Sequence, residues 1–384
     1  MNILFLTAYA PVLHMHGGGV RMYHNIRILS ERHSVQVISF IENDEERDRL
    51  KTVEAICESV TAVQRVPDFR PHRLSLKPFL VREFSTPAMY RAVDHALRTG
   101  KIDVIQCEYL QMAQYRRRGP FSILTIHEAL SSNAYHTFQK AGEPIERFRC
   151  FYRWMSMLNY EISMCNRFDR VVTMTRDDAD YLRSYAHRAA VRHIPIGIDP
   201  RHFRPATKEI DRPVEVLFVG NFRHAPNVEA ADFLLSEIAP HFPDVQFVIA
   251  GSHLPRTLPS APNAIFPGYI ADTRELFHAP NTIVVAPIFS GTGQRVKLLE
   301  AFAMSCPVIT TEVGALGFSI RNGEQAMVAN TASEFRAALD RLLSSPALRV
   351  RIGNAARKMI VERFDWQTIG REFHALVENC SGGL

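Results

Sequence analysis

Residues 287–310 read PIFSGTGQRVKLLEAFAMSCPVIT. The apolar run Thr282–Ala286 before them has strand length and feeds a glycine-bearing loop. The pattern then predicts a helix from about Val296, over Lys297–Met304, and a second apolar strand over Pro307–Thr311. Strand, loop, helix and strand is the repeat of a parallel sheet covered by helices. Gly291 and Gly293 let backbone N–H groups approach a phosphate closely, and the incoming helix N-terminus adds a partial positive charge. Arg295 and Lys297 add two full charges at the helix start, where a helix prefers anions. An anionic ligand resolves that local conflict most simply. Glu300 lies one turn beyond Lys297, where a carboxylate accepts hydrogen bonds from sugar hydroxyls. Taken alone, Gly-Thr-Gly reads equally as a solvated loop.

The whole segment resembles the donor-binding stretch of retaining family 4 glycosyltransferases, enzymes of the two-domain GT-B fold. LLEAFAMSCPVIT is similar to the family's LLEAFAxGxPVI, with Ser305-Cys306 where small residues such as glycine are usual. The family commonly carries two glutamates separated by seven residues. Glu300 matches the second, and Thr292 stands at the first. The GxGxRxK pattern resembles a subgroup that lacks the first Glu and concentrates positive charge in this loop. The resemblance implies that Glu300 binds the nucleotide ribose. It implies that Arg295 and Lys297 carry the diphosphate, with Gly291, Thr292 and Gly293 lining the donor site. The donor-sugar contact that the first Glu makes in the family is not implied at Thr292.

At 384 residues, two domains are the natural expectation. A hydrophobic fraction of 46% and a charged fraction of 22% are those of an ordinary globular protein. The longest apolar runs have strand length, so no transmembrane span is expected. MNILFLTA has no basic n-region or cleavage site and is not expected to be a signal peptide. The six cysteines, Cys57, Cys107, Cys150, Cys165, Cys306 and Cys380, form no zinc spacing, and several sit in apolar runs. A reducing, cytoplasmic setting is expected. The net charge of +5 suits anionic ligands or an anionic membrane face and does not demand nucleic acid.

Strand candidates in the first half are Asn2–Thr7, Val35–Phe40, Thr61–Val66, Asp103–Cys107, Ser122–Ile126, Arg170–Thr175 and Val191–Pro195. In the second half they are Val214–Val219, Val245–Ala250, Ala264–Phe266, Thr282–Ala286, Pro307–Thr311 and Ala326–Val328. Helices fit Val228–Ile238, Arg274–Phe277, Lys297–Met304, Ala332–Leu343, Pro346–Val361 and Gln367–Val377. Continuous apolar runs alternating with amphipathic segments argue for two doubly wound α/β domains, facing a central cleft. The expected division is a first Rossmann-like domain over 1–200, a proline-bearing linker over 201–213, and a nucleotide-sugar domain over 214–363. The resemblance implies that residues 364–384 carry a helix returning to the first domain.

Gly17-Gly18-Gly19 follows the first strand and precedes a helical stretch, Val20–Leu29. Three glycines at a helix start read as an anion site or as a loop. The resemblance assigns Gly18 and Gly19 to the donor phosphates and acceptor, with Arg21 as an auxiliary phosphate ligand. His127 ends a strand and is followed by Glu128, similar to the family's H-[DE], which implies that His127 approaches the donor sugar. Gly220 closes a strand; Asn221 stands where the family has Arg, and Arg223 is the substitute. Tyr269, in Gly268-Tyr269-Ile270, falls where the family holds the nucleobase. IPIGID at 194–199, followed by Phe203, resembles the family's I-P-N-G-V-D turn and reads as structural. Asp178-Ala179-Asp180 imitates a metal-binding DxD, but Thr175-x-x-Asp178 reads as a capping box, so no metal is assigned.

These readings converge on a cytoplasmic, metal-independent, retaining glycosyltransferase with His127 and Glu300 as its catalytic residues. The donor is a nucleoside diphosphate sugar, a substrate, with no separate cofactor. The acceptor is a carbohydrate, lipid-linked or small molecule. The alternatives are a GT-B sugar-nucleotide epimerase and a non-catalytic carbohydrate-binding subunit. The basic run Arg116–Arg118 and the Arg/aromatic mixture in Arg147–Met164 read as a peripheral contact with the inner membrane face, or as a helix buried against the sheet.

Overall fold

A computed structural model describes residues 1–13, 17–66, 77–205, 212–291 and 293–379. By contact the chain separates into two units. One holds Met1–Pro195 together with the segment from Ile369, and the other holds Ile196–Thr368.

The first unit is a seven-stranded sheet in the order β3-β2-β1-β4-β5-β6-β7. Its strands are β1 (Asn2–Thr7), β2 (Ser34–Ile41), β3 (Ser59–Gln64), β4 (Val104–Glu108), β5 (Phe121–Ile126), β6 (Arg170–Thr173) and β7 (Val191–His193). All pairings are parallel. β1 and β4 are buried along nearly their whole length, as strands covered on both faces must be. Leu4, Leu6, Ile105, Cys107, Leu124 and Ile126 form the centre of its core.

The second unit repeats the plan with β8 (Glu215–Asn221), β9 (Gln246–Ser252), β10 (Ala264–Gly268), β11 (Thr282–Ala286), β12 (Val308–Thr310) and β13 (Met327–Val328). Its order is β10-β9-β8-β11-β12-β13, again parallel. The strand order of each sheet reverses at one place, β1/β4 in the first unit and β8/β11 in the second. A doubly wound sheet opens its ligand crevice there, beyond the carboxyl ends of the strands.

Several elements depart from the sequence reading. The helix expected over 228–238 starts at Ala225 and runs to Phe233, then widens into a π-turn over Leu234–Ile238. The expected helix at 274–277 is one 3₁₀ turn, Thr273–Leu276. The contact division falls after Pro195 and Thr368, beside the expected edges at 200 and 363. Ile198 bridges Asp365, and Ile198 N–H donates to Phe364 O at 2.8 Å, so these segments belong to one unit. Of the expected linker, residues 206–211 lie outside the described residues. No described helix is long and apolar enough to cross a membrane.

Candidate functional site

In the second unit, the chain leaves β11 into the loop that carries Gly291 and Gly293. Both glycines have left-handed backbones, φ 90° and 83°, which residues with a Cβ adopt at a cost. A Cβ on Gly291 would also lie 3.3 Å from Arg295 Nη2. That guanidinium folds back along the loop, donating to Gly291 O at 2.7 Å and Ser290 O at 3.2 Å. The loop is therefore shaped by its own arginine. The helix Val296–Ala303 follows, with Arg295 as an N-cap that supplies no side-chain cap and with no acid in the first turn. Its N-terminal field is left to act on whatever binds in the loop.

Lys297 Nζ donates to Asn227 Oδ1 at 2.7 Å and sits 4.3 Å from the centre of the Phe218 ring. Burial, reinforced by the charge of Arg295, lowers the Lys297 ammonium to about 7, against a partial pull upward from Glu300. Burial raises the Glu300 carboxyl to about 7, although Thr273 Oγ1 donates to its Oε2 at 3.1 Å and Lys297 pulls it down. A cation and an acceptor one turn apart, both poised near neutrality, suit a ligand that brings its own negative charge. Asn227 is itself held by Nδ2 donating to Asn221 O at 2.8 Å, and its side chain packs 3.1 Å from where a Cβ on Gly220 would be. A side chain at Gly220 would therefore crowd Asn227.

Arg223 is exposed, with its backbone N–H donating to Asn221 Oδ1 at 3.0 Å. Tyr269 is 63% exposed after β10. Among the described residues neither hydrogen-bonds Lys297 or Glu300. Thr292 lies outside the described residues.

In the first unit, the ends of β4 and β5 meet the start of the helix Gly17–Ser30. Glu108 ends β4 opposite Thr125 of β5, and His127 follows two residues on. His127 Nε2 and Glu108 Oε2 are 2.7 Å apart, with both side chains buried. Tyr109 stacks on the imidazole at 3.7 Å between centroids, with an 11° interplanar angle. A Cβ on Gly18 would lie 1.8 Å from Tyr109 Oη and 3.1 Å from His127 Nδ1, so the helix start closes on this pair only because Gly18 has no side chain. Gly19 is buried in the next position.

Burial alone would raise the Glu108 carboxyl. The hydrogen bond from His127, with the charge of Arg21 and the hydrogen bond from Gln106, outweighs it and holds Glu108 below the usual range. Burial lowers the His127 imidazole despite Glu108. The pair is therefore a carboxylate and a neutral imidazole. An ionised carboxylate only accepts, so Nε2 carries the proton and Nδ1 is left as an acceptor on the Gly18 side. Gln106 Nε2 donates to the other Glu108 oxygen at 3.0 Å.

Arg21, expected as an auxiliary phosphate ligand, spends one nitrogen on the backbone and leaves Nε and Nη2 without a partner. It is fully buried, donates to Pro195 O at 2.7 Å, and acts on Glu108 through charge. Asp178 and Asp180 diverge as the capping reading requires. Asp178 is buried and bonded to Thr175, while Asp180 is exposed and pairs with Arg183 at 2.7 Å. Glu108, Tyr109, Gln106, Asn227, Phe218 and Thr273 were not anticipated. The one signal for Glu108 was an acid ending an apolar strand; the others carry no motif.

The family model described as Glycosyltransferase Family 4 matches residues 15–202, and the one described as Glycosyl transferases group 1 matches residues 213–345. The MMP alpha-(1->4)-mannosyltransferase of Mycolicibacterium hassiacum is 24% identical, over 98% of this chain and 97% of its own. Among solved structures, sucrose-phosphate synthase from Thermosynechococcus elongatus superposes with a TM-score of 0.76 at 19% identity, covering 100% of both chains. Anabaena Alr3699/HepE in complex with UDP gives a TM-score of 0.74 at 15% identity, over 99% of this chain and 100% of that one. Two parallel doubly wound sheets, with one half matching each family model, make this chain a GT-B glycosyltransferase of the family 4 and group 1 type.

Proposed function

We propose that the protein transfers a sugar from a nucleoside diphosphate sugar to an acceptor hydroxyl with retention of anomeric configuration and without a catalytic metal. The observation that carries this reading is the grouping of Arg295, Lys297 and Glu300 at one uncapped helix start, with Lys297 and Glu300 poised near neutrality. The chemical demand is to stabilise charge developing on the leaving diphosphate while the sugar becomes oxocarbenium-like. Lys297, the loop N–H groups and the helix dipole meet it, with Arg295 swinging from the loop carbonyls or holding the loop open for the anion. Glu300, fixed by Thr273, accepts from the ribose hydroxyls. His127 receives a donor-sugar hydroxyl at Nδ1.

Uridine diphosphate sugars are the first donors to test, because Alr3699/HepE has been solved with UDP and with UDP-glucose. A relative from Klebsiella pneumoniae, 22% identical over 86% of this chain and 87% of its own, is described as an uncharacterized protein in a cps region, which favours an acceptor in polysaccharide synthesis. Release of nucleoside diphosphate that requires both donor and acceptor supports transfer. Donor interconversion without acceptor would favour an epimerase, and binding without turnover a carbohydrate-binding subunit.

We also propose a peripheral membrane contact. The helix Pro144–Cys165 leaves Ile145, Phe148, Tyr152 and Met155 exposed, a stripe at helical spacing, with Phe151 alongside. Arg147, Arg149 and Arg153 are exposed among them. Apolar side chains flanked by arginines suit an anionic lipid surface.

A further inference from the structure

We propose that His33, His374 and Glu378 form a site for a zinc-class divalent metal ion that fastens the last helix to the first unit. None of the three belongs to the sugar-transfer site described above. One ligand atom from each lies within 4.8 Å of the others. Among the described residues this is the one such grouping of histidine, cysteine and carboxylate side chains.

The spacing has a simple origin. His374 and Glu378 stand four residues apart on the helix Trp366–Glu378, so they share a face one turn apart. His33 lies in the turn between the helix Gly17–Ser30 and β2, fixed by its N–H donating to Leu29 O at 2.9 Å. The two imidazole rings are 5.7 Å apart between centroids and tilted by 57°, which is not a stack.

The independent observation is an absence of partners. Both ring nitrogens of His33 are closed to water and without a hydrogen-bond partner, and those of His374 are closed to water with only the backbone of Ile28 near enough to act on one of them. His374 is 7% exposed. Folded proteins seldom leave a buried imidazole without a bond, and an unmet pair is a mark of a missing ion or water.

The donor set selects the ion. Two imidazoles and a carboxylate are borderline ligands that suit zinc, whereas magnesium and calcium take oxygen sets. Ligand atoms around such an ion lie about 3.3–4 Å apart, so a pair 4.8 Å apart needs to close by at most roughly 1.5 Å. Glu378 supplies that movement, because its side chain is 46% exposed. Arg32 Nη1 now pairs with Glu378 Oε1 at 3.3 Å and is 62% exposed, so it can leave without burying a charge. A solvent molecule completes the shell.

The test uses the full chain, stripped with chelator and titrated with zinc chloride. Calorimetry is expected to give one tight site per chain, and thermal unfolding a rise in midpoint that chelator reverses. His33→Ala and His374→Ala are each expected to weaken that site by at least about tenfold. His374→Cys guards against simple misfolding. It keeps a ligand, and with cobalt(II) it should show a thiolate charge-transfer band that the parent chain lacks. Stoichiometric binding that survives both alanine variants, or no zinc-dependent stabilisation of the parent chain, would overturn the site. So would a folded His374→Cys chain without the band.

Discussion

Lys297 owes its lowered ionisation to burial and to Arg295, so in the free protein it loses its proton near neutrality. A bound diphosphate reverses that preference by placing negative charge beside the ammonium. Binding above neutrality therefore takes up a proton, and affinity falls as pH rises from about 7 toward the raised ionisation of the complex. At about pH 8 Glu300 is already largely ionised, so the uptake there belongs to Lys297. Calorimetry in two buffers of different ionisation enthalpy should count close to one proton taken up, and Lys297→Met should abolish it. The same variant should weaken nucleoside diphosphate binding roughly ten- to a hundredfold, the loss of a charged hydrogen bond of about 1.5–3 kcal/mol. A wild-type count of zero would remove Lys297 from the diphosphate site.

Glu300→Gln asks a different question of the same helix. It should cost more affinity for the ribonucleotide than for its 2′,3′-dideoxy analogue, because only the former offers hydroxyls. Equal losses would show that Glu300 does not read the ribose. In the first unit, Glu108→Gln removes the charge that fixes the His127 proton on Nε2. Turnover should fall roughly ten- to a hundredfold, the scale of one charged hydrogen bond, with nucleoside diphosphate affinity unchanged. Imidazole nitrogen chemical shifts should show the parent as the Nε2–H tautomer and the variant as a mixture. A single unaltered tautomer in the variant would count against Glu108 as a positioning residue.

At the scale of elements, the helix Pro144–Cys165 sorts its residues into two faces. Glu161, on the inner face, accepts from the backbone N–H groups of Leu130 and Ser131 at 3.0 and 3.3 Å and so caps the neighbouring helix Leu130–Lys140. Phe148 and Ile145 point away, 71% and 72% exposed. The paired substitution Ile145→Ser with Phe148→Ser should reduce sedimentation with anionic liposomes while leaving nucleotide binding intact. Added salt should weaken the parent's binding by screening the arginines. Equal binding by parent and variant would move the contact elsewhere. The elements themselves were largely legible. β1 and β11 coincide with the apolar runs Asn2–Thr7 and Thr282–Ala286, because strands buried on both faces leave unbroken hydrophobic segments. The Gly291–Gly293 loop was legible because glycines with positive φ and clustered charge leave local signals. Glu108 and Asn227 were not, because their roles arise from strands and helices meeting far apart in sequence. The charge of Arg21 is visible in the sequence; its full burial is not.

At the scale of the molecule, the two units differ in what should hold them together. The last helix begins in the second unit and from Ile369 belongs to the first. Ile369, Phe373 and Val377 recur every four residues and are all but fully buried, at 0%, 0% and 1% exposure. That buried stripe belongs to the segment that groups with the first unit. The Gly291–Gly293 loop and its helix lie wholly in the second unit, so if they bind the donor as proposed, nucleoside diphosphate should stabilise the second unit directly. Calorimetric unfolding should accordingly resolve a transition that rises with nucleoside diphosphate and one that does not. Phe373→Ala deletes a fully buried ring and should cost the first unit about 3–5 kcal/mol. It should therefore lower the transition that is insensitive to nucleotide and leave the responsive one in place. A single transition in the parent, or an equal fall of both in the variant, would mean that the units unfold as one cooperative body.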